Sequence, residues 1–351
     1  MNSKGMDKVA DKQPTRLNER MYLIDGFDLG LPERTGTYVI DEEHLTLVDT
    51  GPSPSVKHVK KGLADLGFTL EDVKYIIVTH VHLDHSGGAG LLLQDCPNAQ
   101  VVVHPKGARH LSDPSRLIAG AQMVYGEQFD QLFAPIVAIP EDRLLIKTEG
   151  EGLEIGAACT LEFWDTPGHA NHHFSIYDPI SNGIFAGDTV GIRYDQLVRE
   201  GIDLYLPSTS PNQFNPEAMQ DAIERMSNAK LDAIYYGHFS QTDQPEAALR
   251  QSERWLKVFV EEGQAAFTAG LAPEELAERL FNRVQDYLRT QNVADDHEVY
   301  PYIRLDMQVS SMGILDTLAK QQRSTCAYAQ VFLCLECFGL TKQPVRNRSW
   351  D

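Results

Sequence analysis

The chain has 351 residues, 42% of them hydrophobic, enough to bury a large core and too many for a disordered polymer. Its formal net charge of −19 repels phosphate backbones and argues against a nucleic-acid partner. Residues 1–20 are polar and charged with no apolar stretch, so neither a secretory signal nor a membrane anchor is expected, and cytoplasmic residence is the expectation.

After that polar tail, strand-like runs at 21–24, 37–40 and 45–48 lead into a helix whose Val56, Val59, Leu63 and Leu66 recur at helical spacing. Residues 73–78 are β-branched and aromatic and read as a buried strand. Directly beyond them comes Thr79-His80-Val81-His82-Leu83-Asp84-His85-Ser86-Gly87-Gly88, which packs three imidazoles and a carboxylate into six positions. Such a cluster has almost no purpose except gripping metal. Residues two apart in an extended segment point the same way, so His80 and His82 can hold one ion together. The chain then turns, which frees Asp84 and His85 to face a second ion. A helix at 89–93 and a short strand at 101–104 follow, and this alternation implies a layered α/β core.

Residues 105–140 carry Met123, Tyr125, Phe129 and Phe133 at loosely helical spacing, either as core packing or as a wall over the site. Further metal-ligand residues then recur at strand ends. Thr166-Pro167-Gly168-His169 closes the run 160–164, Gly187-Asp188 closes 184–186, and Gly237-His238 closes 233–236, each ligand preceded by a glycine suited to a tight turn. His172 and His173 open a strand at 174–177, where alternation would turn one inward and the other away, and packed structural histidines are the expected reading for both. Residues 189–213 form a long connection rich in Pro, Ser and Tyr, a length that usually signals function. Asn215-Pro216 starts a helix with Met219, Ala222, Ile223 and Met226 on its buried stripe. Past His238 the pattern is helical, with Leu249, Leu256, Phe259 and Val260, then Leu276, Leu280, Val284 and Leu288, then a third helix over about 299–318.

The expected organisation is a tail at 1–20, a main domain at 21–244, a helical extension at 245–322 and an unassigned tail at 323–351. Five cysteines are an odd number in a large chain, so a disulfide scaffold is not expected. Cys334 and Cys337 form a single C-x-x-C without a partner pair, a weak redox or zinc signal.

Seven candidate ligands result: His80, His82, Asp84, His85, His169, Asp188 and His238. Imidazole and carboxylate suit zinc, and two such ions about 3.5 to 4 Å apart can activate one water between them. At these residues, and at Asp49-Thr50-Gly51, the chain resembles the metallo-β-lactamase superfamily, whose T-H-x-H-x-D-H motif and later G-H, G-D and G-H positions appear in order. The resemblance runs over about 21–240. It implies a four-layer αββα sandwich of the α/β class, here with a C-terminal helical extension. It also implies that His80, His82 and His169 bind one metal, that Asp84, His85 and His238 bind the other, and that Asp188 bridges them. Asp49 would stand behind the ligands and orient them.

The implied activity is a dinuclear metallohydrolase acting on a small acyl substrate, a lactone, ester or thioester, through a hydroxide bridging two divalent ions. Zinc is the expected metal, with iron or manganese as alternatives. Asp84 would carry the proton to the leaving group. Tyr194 is a displaced counterpart of a tyrosine that lactonases place after the bridging aspartate, which makes it a candidate substrate contact. Asp188 itself argues against antibiotic hydrolysis, because the true β-lactamases of this fold lack that aspartate. The Pro207-Ser208-Thr209-Ser210-Pro211 segment and the helical extension look most like lactonase homologues and a quinolone-signal thioesterase. Two other readings stand beside this one: an iron-dependent persulfide dioxygenase, and a metal-stabilised signalling or binding protein with little turnover. Apolar residues in the extension could make a homodimer, and no membrane partner is expected.

Overall fold

Side-chain alternation along the central strands decides the layering. A computed structural model of the chain describes the backbone of residues 12–337 and the side chains of residues 12–323. The first sheet has seven strands: β1 (Thr15–Arg16), β2 (Met21–Asp25), β3 (Gly36–Ile40), β4 (Leu45–Val48), β5 (Val73–Ile77), β6 (Gln100–Val103) and β7 (Leu144–Ile146), paired in that order. The chain then builds β8 (Gly152–Gly156), β9 (Cys159–Asp165), β10 (Phe174–Asp178) and β11 (Gly183–Gly187), a separate ribbon of β12 (Ile192–Arg193) and β13 (Tyr205–Leu206), and finally β14 (Ala233–Tyr236) and β15 (Gln241–Thr242). The second sheet runs β15-β14-β11-β10-β9-β8.

In β6, Val102 points into the cluster between the sheets while Val101 and Val103 point outward. In β11 and β14, Phe185 and Tyr235 point inward while Ile184, Ala186, Ile234 and Tyr236 point outward. Strands apolar on both faces must be covered on both, and helices provide the outer layers. Helices α1 (Val56–Asp65), α2 (Leu83–Ser86) and α3 (Ala89–Leu93) follow β4 and β5, and Val56, Val59, Leu63 and Leu92 cover the outer face of the first sheet. The region between β6 and β7 forms α4 (Pro105–Ser112), α5 (Ser115–Tyr125) and α6 (Phe129–Phe133).

On the second sheet, α7 (Asp195–Val198) lies in the connection after β11, and α8 (Pro216–Ala229) starts where the Asn215 side chain accepts from the Ala218 amide at 3.1 Å. Beyond β15 come α9 (Pro245–Thr268), α10 (Pro273–Thr290) and α11 (Tyr300–Cys337). Their Leu256, Phe259, Leu280, Val284, Ile303 and Met307 share one apolar cluster with Ile234, Tyr236, Met219 and Ile223. The extension is thus packed into the core of the second sheet.

Several expectations need correction. Part of the segment read as a tail is structural, since Thr15 and Arg16 pair with β2 and Arg20 pairs with Glu42 at 3.2 Å. Polar sequence at a sheet edge carries no hydrophobic signal, so the strand was invisible. The 189–213 connection is ordered and mostly buried around its own ribbon. The last helix continues well past 318, through Cys337. The side chains of Cys334 and Cys337, like residues 1–11 and 338–351, lie outside the described residues. Cys96 and Cys159 are buried free thiols. Among the described residues no helix is long and apolar enough to cross a membrane.

Helices α9 and α11 approach so closely that a Cβ on Gly263 would sit 2.2 Å from Ile314 Cγ2. Gly263→Val should therefore cost about 1–3 kcal/mol by overpacking. Equilibrium urea unfolding checks this, and an unchanged midpoint would contradict the packing.

Candidate metal centre

The seven candidate ligands follow the ends of four strands, β5, β9, β11 and β14, and converge on one spot. Atoms of His80, His82 and His169 lie within 4.8 Å of one another, as do those of Asp84, His85 and His238, and a third group, His80, His85 and Asp188, joins the two. His82 Nδ1 and His169 Nε2 face each other at 2.8 Å. His85 Nε2 and His238 Nε2 each lie 3.6 Å from Asp84 Oδ2. Asp188 stands between the groups, with Oδ2 3.2 Å from His238 Nε2 and 3.6 Å from His169 Nε2, and Oδ1 3.3 Å from His85 Nε2.

What fixes these rings is as specific as the ligands. Asp49, at the end of β4, accepts from the Thr79 amide at 2.8 Å and lies 3.0 Å from His85 Nδ1, so the other ring nitrogen of His85 turns to the site. Thr50 reaches back to the His85 carbonyl through both its amide and its hydroxyl. His169 Nδ1 donates to the Ser208 carbonyl at 2.9 Å, and the Ser208 hydroxyl donates to Asp188 Oδ2 at 3.1 Å. The segment carrying Ser208 is clamped from behind by α11, where Thr209 donates to the Ser310 carbonyl and a Cβ on Gly313 would fall 2.1 Å from the Thr209 carbonyl oxygen.

The glycines before the ligands serve different ends. Gly168 and Gly187 have positive φ, as a tight turn demands. Gly237 does not; it is needed for space, because a Cβ there would lie 2.6 Å from His85 Cε1.

The electrostatics fit a cation. Burial pushes His80 and His82 well below the usual imidazole range, and neighbouring imidazoles add to the effect. Burial depresses His85 and His238 too, but Asp188, joined at His85 by Asp84 and Asp49, counters it, and both are held above their ordinary value. Burial would raise Asp188, yet His238, His85 and His169 hold its carboxyl well below the usual range. His80 Nε2, His85 Nε2 and Asp188 Oδ1 are buried without a hydrogen-bond partner. Buried polar atoms are rarely left so, and divalent ions bound by imidazole and carboxylate would satisfy all three.

His82, Asp84, His169, Asp188 and His238 form the floor of a cavity of about 290 Å³. Leu117, Ala121, Val124, Tyr125 and Phe133 of α5 and α6 make one wall, while Phe129 and Phe133 pack with Leu83 in a small apolar cluster, so the region serves both as site wall and as core; Met123 points away and is 88% exposed. Ile192, Ser208, Ser210, Asp306, Val309 and Ser310 make the opposite wall, and Arg34 also lines the space.

Tyr194 does not line the cavity. It is buried, and its hydroxyl donates to Asp306 Oδ2 at 2.8 Å, so it reaches the cavity only through that carboxylate. His172 and His173 are both buried, contrary to the expected alternation, because the chain turns at 170–173 before β10 begins. His173 accepts from the Asp188 amide at 3.2 Å, and His172 lines the cavity. Arg34, Ser208 and Asp306 carry no ligand-like signal in the sequence: one follows a turn, one sits in the 207–211 loop without a ligand spacing, and one lies 68 residues beyond His238.

A family model described as the metallo-beta-lactamase superfamily matches residues 32–238, more than half of the chain, and the chain belongs to that superfamily. Metallo-beta-lactamase fold-containing protein ST1585 of Sulfurisphaera tokodaii is 26% identical over 222 residues, covering 62% of this chain and 77% of the relative. Probable metallo-hydrolase YqjP of Bacillus subtilis is 27% identical over 226 residues, covering 57% of this chain and 66% of the relative. In three dimensions the chain is similar to metallo-beta-lactamase family protein TTHA1429 of Thermus thermophilus, with a TM-score of 0.62, 20% identity, and coverage of 88% of this chain and 95% of that one. At that identity the likeness speaks for the fold.

Because Asp188 holds His85 and His238 above their ordinary value, a metal ion competes with protons for these two rings. Zinc titrations should show affinity rising as the pH climbs through and above the ordinary imidazole range, and a flat profile would contradict this ligand set. Ser208→Ala should weaken zinc binding about tenfold at a given pH by freeing Asp188 and its loop.

Proposed function

We propose that this member of the metallo-β-lactamase superfamily is a dinuclear metal-dependent hydrolase of a small acyl substrate, a lactone, ester or thioester. The observation that carries this reading is the pair of ligand groups joined through Asp188 at the floor of a cavity. Two divalent ions there, zinc first among the candidates, would supply Lewis acidity, polarising an acyl carbonyl and lowering the pKa of a water towards neutrality.

The chain's own groups supply the remainder. His80, His82 and His169 on one side, and Asp84, His85 and His238 on the other, would hold the ions, with Asp188 shared. Asp84 has a side chain 30% exposed, the most open of the acidic ligands, and it borders the cavity. It can orient the attacking water through one oxygen and pass that water's proton to the leaving oxygen or sulfur. Asp49 and the Ser208 carbonyl keep His85 and His169 aimed throughout. The apolar wall from α5 and α6 excludes bulk water and accommodates the carbon skeleton of an acyl group.

A cavity of about 290 Å³ limits the substrate to small molecules. With the net charge of −19, it also speaks against a polynucleotide. Relatives named as probable metallo-hydrolases support the reaction class and leave the substrate to be found.

Purified protein should turn over at least one of a lactone, an ester and a thioester, lose that activity to a chelator and regain it with zinc. His82→Ala should lower kcat/KM by at least about 100-fold. Bound metal without turnover of any of the three would instead favour a binding protein.

A further inference from the structure

The cavity wall holds a second group of buried charges that neither metal binding nor the hydrolytic step uses. Arg34, in the loop between β2 and β3, is 8% exposed and lines the cavity. Its Nη2 lies 3.0 Å from Asp306 Oδ1, and its Nε lies 3.5 Å from Asp28 Oδ2. Asp306 comes from α11, and its second oxygen accepts from the Tyr194 hydroxyl at 2.8 Å. Both carboxylates are almost fully buried.

A buried ion triad is a costly way to stabilise a fold, because desolvating three charges consumes most of what their attraction returns. This one is also incompletely satisfied. Arg34 Nε and Asp28 Oδ1 are buried with no hydrogen-bond partner. A guanidinium has five N–H donors, and the Arg34 side chain lines the cavity, which sets donors beside a ligand held there. Arg34 also feels the charges of Asp84 and His238, which places it near the reacting end of the cavity.

The charge of the triad decides what it can hold. Two carboxylates flank one guanidinium, so the group is net negative. Burial lifts Asp28 to about 6, which at most brings the triad to neutrality. It never presents net positive charge, and an anionic ligand gains nothing from it. A neutral oxygen, by contrast, receives a strong, directionally fixed hydrogen bond. Asp306 meanwhile holds the guanidinium so that little side-chain freedom is lost when the substrate arrives.

Given the hydrolase reading, on which this depends, we propose that Arg34 orients the substrate by donating to an uncharged second oxygen near the scissile acyl carbon, and that Asp306 positions Arg34. The substrate is then a neutral acyl compound bearing an amide or keto oxygen, with its apolar part against α5 and α6.

The test compares three esters of para-nitrophenol on zinc-loaded, full-length protein: those of N-acetylglycine, of its apolar isostere isocaproate, and of succinate as the carboxylate-bearing control. Arg34→Gln should lower kcat/KM for the N-acetylglycine ester about 10- to 100-fold. The isocaproate ester, which has no second oxygen to lose, should change by less than about threefold. Arg34→Lys should restore part of the loss. Asp306→Asn, which keeps an acceptor for Arg34, should shift selectivity the same way by a smaller factor, and zinc content equal to the wild type's shows that each variant is folded. Wild type should handle the succinate ester worst. An equal fall on both neutral esters makes Arg34 merely structural and overturns the proposal, as does unchanged selectivity or a preference for succinate. Absence of wild-type turnover on all three esters overturns this proposal, and the hydrolase reading falls with it only if lactone and thioester turnover are absent as well.

Discussion

Everything at the site depends on Asp188, one buried carboxylate placed among imidazoles. It lies within 3.6 Å of His85, His169 and His238, which come from three different parts of the chain, and it raises two of them above the ordinary imidazole value. A buried carboxylate survives only where positive charge compensates it. The convergence of strand ends is the arrangement that supplies this compensation, and the layered fold exists to deliver them to one place. Gly187, with positive φ, turns the chain so that Asp188 faces inward at the end of β11.

The C-terminal helices are part of that arrangement. Helix α11 presses Gly313 against the Thr209 carbonyl, and the same loop presents the Ser208 carbonyl to His169 and the Ser208 hydroxyl to Asp188. About two turns before Gly313 the helix supplies Asp306 to Arg34 and Tyr194. A change at the back of α11 is therefore felt at the candidate ligands and at the cavity wall. This explains physically why the extension shares one apolar cluster with the second sheet and does not hang from it.

Much of this was legible in the sequence because its signals are local. A β-branched run followed by His-x-His-x-Asp-His compresses strand, turn and ligands into a few residues, and the glycine before each later ligand marks a turn. The uniformly apolar Val101-Val102-Val103 and Ile184-Phe185-Ala186 mark strands, while which side chain faces which layer is decided only by the packed sheets. The charged part of the cavity wall was not legible, because Arg34 and Asp306 are 272 positions apart and acquire meaning only when α11 packs across the cavity. Tyr194 was singled out by its distance from Asp188, yet the turn into β12 carries its ring into the core, and it serves Asp306. The edge strand β1 escaped notice because a two-residue polar strand has no periodicity to read.

The most direct measurement is anomalous diffraction at the zinc edge from crystals of the zinc-loaded protein. The account requires two peaks about 3.5 to 4 Å apart, one within about 2.0–2.1 Å of His80, His82 and His169, the other likewise near His85 and His238, with Asp188 touching both. A single peak, or a second one away from His238 and Asp84, would contradict the dinuclear centre on which the proposed chemistry stands.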